Sequence, residues 1–389
     1  MQPTAVVPDI EVPPVTATGH GRLVSLDAFR GITIAGMLLV NNPGSWGHIY
    51  APLRHAQWHG WTPTDLIFPF FLFIVGVAMT FSFGKTREMG ASRSEMLAKV
   101  GRRALILFVL GLILHSFPWW DVDLSTLRIP GVLQRIALAY LLASMVALWT
   151  DVRVQAIAAA AILLGYWAMM AWVPVPGIGA GVWEPGRDIG AYIDRLVFGT
   201  EHLWSQSRTW DPEGLLSTLP ATATVLIGVL TGHWLRSGRS ATLKASGMVL
   251  AGIAAIIVGL AWGAVFPINK SLWTSSYVVF TAGMALHFLA ICYWLVDVKG
   301  HRRWSQPFVI FGVNAIAAFF LSGLFARLLS MVMIPSAGGA ASLKAWLYSG
   351  LLAGGLSEIN ASLAFAVLFV LFWLATMTIL YRKRIFIKV

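Results

Sequence analysis

Charge is scarce in this sequence and cysteine is almost absent. Asp, Glu, Lys and Arg together make up 12% of the 389 residues, about half the share found in an average soluble domain. Too little polar surface remains to clothe a water-facing globule, which excludes a soluble globular enzyme. The single cysteine, Cys292, rules out a disulfide framework and any multi-cysteine metal site. No G-x-x-x-x-G-K-[ST], H-E-x-x-H or G-x-S-x-G pattern occurs, so P-loop ATP hydrolysis and the familiar hydrolase motifs have no support. Residues 1–20 (MQPTAVVPDIEVPPVTATGH) hold no Lys or Arg, whereas a secretory signal opens on positive charge. The stretch 1–21 is expected to be a disordered tail.

What fills the chain instead is apolar. Hydrophobic residues reach 57% and the mean hydropathy is +0.73. Eighteen Trp and 22 Phe suit a lipid-facing exterior with aromatic belts. A net charge of +11 would suggest nucleic acid in a soluble protein. Here the basic residues lie between apolar runs, so membrane topology accounts for them and no nucleic-acid partner is expected.

A helix needs about 20 mainly apolar residues to cross a bilayer. Ten segments meet that demand: 24–42, 63–84, 102–118, 130–149, 154–173, 214–235, 245–266, 274–296, 307–330 and 361–381. Residues 343–355 (LKAWLYSGLLAGG) are apolar but short, as in a re-entrant or interfacial piece. Ten spans put both termini on one side. The connections on that side, around 85–103, 153, 236–244, 299–303 and 382–388, carry seventeen Lys and Arg, and the opposite ones carry seven. Positive charge accumulates on the cytoplasmic face. The expected fold is therefore an all-α polytopic membrane protein with about ten transmembrane helices, both termini cytoplasmic, and one transmembrane domain over 22–389.

Charges inside spans cost at least about 2.5–3.5 kcal/mol each and mark functional positions by default. Asp27 and Arg30 stand three apart in the first span, share a helix face and can pair. Asp65 opens the second, Arg135 follows Gln134 in the fourth, and Arg327 sits in the ninth. Asn314, His115, His233 and His287 add neutral polar groups. The competing reading is helix-to-helix hydrogen bonding; it is favoured for the three histidines and stays open for Asp27, Arg30, Arg135 and Asn314. The long connection 174–213 is either a binding surface or a solvated loop.

Polar chemistry concentrates between Asn41 and Asp65. Asn41 and Asn42 end the first span, and His55 follows on a loop with Arg54, Trp58, Trp61 and Asp65. Pro63 takes the early helix position it favours, Thr62 can cap, and Asp65 meets the positive helix end. A neutral histidine beside amides and a carboxylate suits proton transfer or nucleophilic attack; a plain surface histidine is the alternative. His55 and His59, four apart, lack a nearby Glu or Cys, so no metal is expected.

The run HAQWHGWTPTDLIFPFFLFIVG (55–76), preceded by LDAFRG (26–31) and VNNPG (40–44), closely resembles the heparan-alpha-glucosaminide N-acetyltransferase family. The similarity continues through RIPGVLQRIALAY (128–140), WDPEGLLSTLP (210–220), PINKSLWTSSYV (267–278) and FGVNA (311–315). The resemblance implies a multi-pass acyltransferase, here of a bacterial cytoplasmic membrane. It would move acetyl from cytosolic acetyl-CoA to an amino-sugar acceptor on the external side. It implies that His55 is the active-site histidine, as general base or transient acyl carrier, with Asn41 beside it and Asp65 fixing the ring. For the donor it suggests Arg22, Asp27 and Arg30 at the inner mouth, and Gln134, Arg135, Asn269, Trp273 and Asn314 along the pantetheine arm. Trp58, Trp61, Asp211 and Glu213 are the expected acceptor-binding residues. A homodimer is the expected assembly. The stretch after Asn314 and the loop 174–213 depart from the family pattern, which leaves the acceptor open. An O-acyltransferase of an envelope glycan or lipid, or a transporter of a small amino sugar, are the rival functions.

Overall fold

The computed structural model describes residues 23–336 and 339–387. The expected tail over 1–21, and Arg22 with it, lie outside the described residues. In chain order the helices are α1 (Val24–Asn41), α2 (Ile67–Glu88, led in by a tight turn at Pro63–Leu66), α3 (Arg93–His115), α4 (Val132–Trp149), α5 (Val152–Trp172) and α6 (Ile189–Phe198). After them come α7 (Thr218–Arg236), α8 (Ala241–Gly263), α9 (Ser275–Cys292, widening into a π-helical turn at Tyr293–Val298), α10 (Gln306–Val313) and α11 (Ala315–Met331). An antiparallel hairpin, β1 (Met333–Ser336) and β2 (Gly339–Ser342), then leads into α12 (Leu343–Ala353) and α13 (Glu358–Arg382).

The protein is all-α and polytopic. Among the described residues, eight single helices are long and apolar enough to cross a membrane: α1, α2, α4, α5, α7, α8, α9 and α13. The pair α10–α11 passes the same test jointly but bends by 82° at its break. The tenth expected segment coincides with α3, a helix of 23 residues. Arg93, Glu95, Lys99, Arg102 and Arg103 crowd its first half and keep it outside the purely apolar class. Its start lies nine residues before the expected one because Ser92 and Glu95 form a reciprocal cap, with Glu95 N–H on Ser92 Oγ at 3.2 Å and Ser92 N–H on Glu95 Oε2 at 2.8 Å.

One expectation needs correction. The segment 307–330 is not one straight span. Asn314 leaves the helical conformation, and its side chain turns to the chain end, donating to Ile385 O at 3.1 Å and accepting from Ile387 N–H at 2.9 Å. Within the connection 174–213, Asp188 caps α6 by accepting from Ala191 N–H at 3.0 Å. The short segment 343–355 is α12, eleven residues and too short to span.

Close crossings hold the bundle. A methyl group on Gly76 (α2) would strike the Val225 carbonyl of α7, and one on Gly228 would strike that of Phe73 in return. Gly31 on α1 and Gly312 on α10 meet in the same way. Small residues of this kind let backbones approach where no hydrophobic effect separates helix from lipid. The innermost side chains include Phe29, Leu38, Phe73, Trp273 and Tyr277, whereas α5, α8 and α13 expose apolar side chains such as Leu164, Leu250, Ile257 and Leu368, a perimeter suited to lipid.

Candidate active site

The connection between α1 and α2 is fastened at three points. Thr62 precedes Pro63 in extended conformation, and Asp65 Oδ2 accepts the Thr62 N–H at 3.1 Å and the Ala56 N–H at 2.9 Å. Gly60, at φ +97°, donates its N–H to Ile268 O at 2.7 Å; this left-handed conformation is one that glycine adopts at little cost. Trp58 donates through Nε1 to Trp183 O at 2.7 Å and meets Trp210 edge to face at 5.0 Å between ring centroids. Held in this way, the loop sets His55 Nδ1 at 2.7 Å from Asp65 Oδ1. The carboxylate is buried, with 1% of its side chain accessible, while the imidazole is 47% accessible. Among the described residues Nε2 of His55 makes no hydrogen bond. An acid–histidine pair of this type fixes the ring and leaves the far nitrogen available for proton transfer or attack.

The loop 264–274 brings a third group. Asn269 Oδ1 accepts the Leu272 N–H at 2.9 Å, and its N–H reaches Thr274 Oγ1 at 3.0 Å. Trp273 sits at φ +52°, costly for a bulky residue. Its ring is fully buried against Phe68, Tyr277 and Arg135, and Nε1 donates to Thr224 Oγ1 at 3.2 Å. That anchor turns Lys270 toward the pair, with Nζ 3.1 Å from His55 Nδ1 and 3.5 Å from Asp65 Oδ1. Burial pulls the Lys270 ammonium below the ordinary lysine range, and the Asp65 carboxylate pulls the other way. The phenol of Tyr277 donates to Asp65 O at 2.5 Å, tying α9 to the start of α2.

Two cavities lie beside α1. One lies at the Asn41 end of α1, the outer end in the expected topology; it is about 610 Å³ and bordered by Asn41, Trp46, His115, Arg128, Gln134 and Lys344 among others. The other lies at the Asp27 end, the inner one in that topology; it is about 490 Å³ and bordered by Asp27, Arg30, Arg103, Tyr140 and Phe386 with an apolar majority. Met37, Val132, Leu133 and Phe319 line both, so the two cavities are neighbours across these side chains. Among the described residues, both side-chain polar atoms of Gln134 are buried without a hydrogen-bond partner, as is Nε of Arg103. Such orphaned groups cost free energy unless a ligand or water meets them.

The expected site residues thus fall into groups. His55, Asp65 and, through its neighbours, Asn269 come together; Asn269 Nδ2 lies 3.4 Å from His59 Nδ1. Asn41 and Gln134 border the outer cavity, whose lining does not include His55. Asp27 and Arg30 pair at 3.0 Å on the inner cavity. Arg135 is fully buried, donating to Gly214 O at 3.1 Å and to Ser217 Oγ, with its guanidinium over Trp273. Asp211 and Glu213 are engaged by Arg128, at 2.6 Å each. Trp61 rests against Phe280, 4.8 Å between centroids. Asn314 secures the chain end. Lys270 and Arg128 escaped the sequence reading because their partners are remote in the chain. The PINK motif was the available signal for the first, and the acidic pair in WDPEG for the second.

Residues 22–257 match the family model for the catalytic part of heparan-alpha-glucosaminide N-acetyltransferase. Over 350 residues the chain is 30% identical to the human heparan-alpha-glucosaminide N-acetyltransferase, an alignment covering 77% of this chain and 52% of that protein. Against the mouse protein the identity is 29% over 359 residues, covering 79% and 54%. The chain spans about half the length of the curated relatives it matches. With more than half its residues inside the matched region, His55 and Asp65 among them, the chain belongs to the heparan-alpha-glucosaminide N-acetyltransferase catalytic family.

Proposed function

We propose that this protein is a membrane acetyltransferase that passes an acetyl group from cytosolic acetyl-CoA to an amino-sugar acceptor on the external side. The observation that carries the reading is the His55–Asp65 pair at 2.7 Å with Nε2 left open, in a chain of this family. The thioester is already activated. The protein has to place the amine against the carbonyl, take its proton and stabilise the oxyanion. His55 Nε2 accepts the amine proton as the C–N bond forms and the C–S bond breaks, and the thiolate leaves to become the CoA thiol. General base catalysis of this kind contributes about 10²–10⁴-fold. In the covalent variant Nε2 attacks first and carries the acetyl as an acyl-imidazole. Asn41 supplies an amide donor for the oxyanion.

Acetyl-CoA enters as a substrate. The orphaned Arg103 Nε and the Arg30 guanidinium suit its phosphates at the inner cavity. The unpartnered Gln134 amide suits the pantetheine amides in the outer one. Positioning two substrates out of water supplies the larger part of such catalysis.

The test is acetylation with labelled acetyl-CoA. Release of CoA thiol on adding glucosamine, with acetylated sugar formed, supports the reading. Label held on His55 without acceptor selects the covalent variant, and its absence selects direct attack. One observation favours a second reading, a small amino-sugar transporter: the helix broken at Asn314, a feature of transporter sites. Uptake of glucosamine without CoA release would establish that reading and sink the first.

A further inference from the structure

We infer that Lys270 is a positioning residue for His55, holding the imidazole neutral by balancing the Asp65 carboxylate beside it. The inference rests on the reading of His55 as the group that serves acetyl transfer. A carboxylate alone at 2.7 Å from Nδ1 would favour imidazolium. A ring protonated at both nitrogens can neither take the amine proton nor attack a thioester. The ammonium of Lys270, 3.1 Å from Nδ1 and 3.5 Å from Oδ1, opposes that protonation by direct repulsion and by neutralising the acid. The stable arrangement has Nδ1–H donated to Asp65, Lys270 paired with the same oxygen, and the lone pair on Nε2.

The setting is specific. Lys270 comes from the loop before α9, whose shape is fixed by the Asn269 turn and the buried Trp273. Asp65 comes from the start of α2, and His55 from the connection after α1. Among the described residues, the other titratable or charged groups around the ring and its partners are Arg54 and His59 on its own connection, Tyr277 on α9, and, acting on Lys270 from further off, Arg135 on α4 and Glu213 before α7; Arg135 is committed to Gly214 O and Ser217 Oγ, and Glu213 to Arg128. The Arg54 guanidinium is turned back to Ile49 O at 2.8 Å. His59 lies against Asn269, and the Tyr277 phenol is committed to Asp65 O. Among the described residues, Lys270 is the cation that lies against both members of the pair.

The experiment measures the protonation of His55 directly, apart from acetyl transfer. Purified full-length protein in zwitterionic nanodiscs is modified with diethylpyrocarbonate, which reacts with neutral imidazole, across pH 5–9. Modification of the His55 peptide is followed by mass spectrometry. Lys270→Met and Lys270→Gln are expected to move the half-modification point up by about one pH unit or more, the scale of a charge removed within hydrogen-bond reach. Asp65→Asn is expected to move it down, and Lys270→Arg to restore the native position. The acid limb of the acetyl-transfer pH profile should rise with the Met and Gln variants. Opposite displacements from the two ends of the pair are not produced by loosened packing. If the Lys270 variants leave the half-modification point in place, or if all variants move it the same way, the inference is overturned. Wild-type protein that transfers no acetyl would instead overturn the function while leaving the titration to decide the role of Lys270.

Discussion

At the scale of single residues, the site separates groups by what their loss would leave behind. His55 is half-exposed, and without it Asp65 keeps the Ala56 and Thr62 N–H groups and Lys270 as partners, so His55→Ala is expected to abolish acetyl transfer while the protein still folds and melts cooperatively. Retained transfer would remove His55 from the chemistry. Asn41→Ala is expected to lower kcat by about 10²–10³-fold with little change in the KM for acetyl-CoA, the pattern of a donor that acts on developing charge. Arg128 behaves differently. It holds Asp211, whose side chain is inaccessible, and the largely buried Glu213. Arg128→Ala would strand two acids, and breaking a buried pair costs about 3–5 kcal/mol. The variant should fail in thermal stability before it fails in chemistry, and a melting curve unchanged from wild type would refute the structural role.

At the scale of elements, α6 carries a titration that the connection 174–213 gives no hint of in sequence. Asp194 is buried against the start of α7, accepting the Leu215 N–H at 2.7 Å. Burial raises its carboxyl to about 7, against that hydrogen bond, which lowers it. The unfolded carboxyl loses its proton near pH 4 and the folded one near 7, so between those values the folded state binds more protons. Stability contributed by the protonated group is full below about pH 4 and is lost as pH rises through about 7. Protection factors of the α6 amides, that is exchange rates corrected for the intrinsic rate at each pH, are expected to be larger at pH 5 than at pH 8, and Asp194→Asn to abolish the difference. Equal protection factors at both pH values in wild type would contradict this. The element scale also marks what sequence can and cannot convey. Apolar length located nine of the ten expected spans on single helices, and Thr62, Pro63 and Asp65 announced the start of α2, because these signals are local. The break at Asn314 was hidden because hydropathy runs unbroken through FGVNAIAAFF, and the residue that stabilises the break is some seventy positions away at Ile385 and Ile387. Lys270 was hidden for the same reason, being 215 positions from His55.

At the scale of the whole molecule, the proposed direction of transfer depends on the two cavities and on the count of crossings. Val132 borders both cavities, so Val132→Trp would obstruct the way between them. The KM for acetyl-CoA should rise at least about tenfold, equivalent to about 1.4 kcal/mol of lost binding, with the His55–Asp65 pair untouched. Direction depends on α3. With α3 as a crossing the chain crosses ten times, and the basic segments after α2, α7, α9 and α13 lie on the same face. With α3 on the surface every later connection changes sides, and the positive charge divides between the two faces against the ordinary bias of membrane proteins. The apolar run from Ala104 to His115, joined to Lys99, Arg102 and Arg103 at its inner end, fits a crossing whose basic side chains reach back to the headgroups. Reporter fusions decide between the two. A fluorescent protein that folds only in the cytoplasm should light up when joined after residue 388. Alkaline phosphatase, active only outside, should work when inserted near residue 205. Dark fusions at the chain end with active phosphatase at 205 would mean an even number of crossings after that loop, in place of the five expected. The acetyl donor and the acceptor would then need assigning afresh to the two faces of the bilayer.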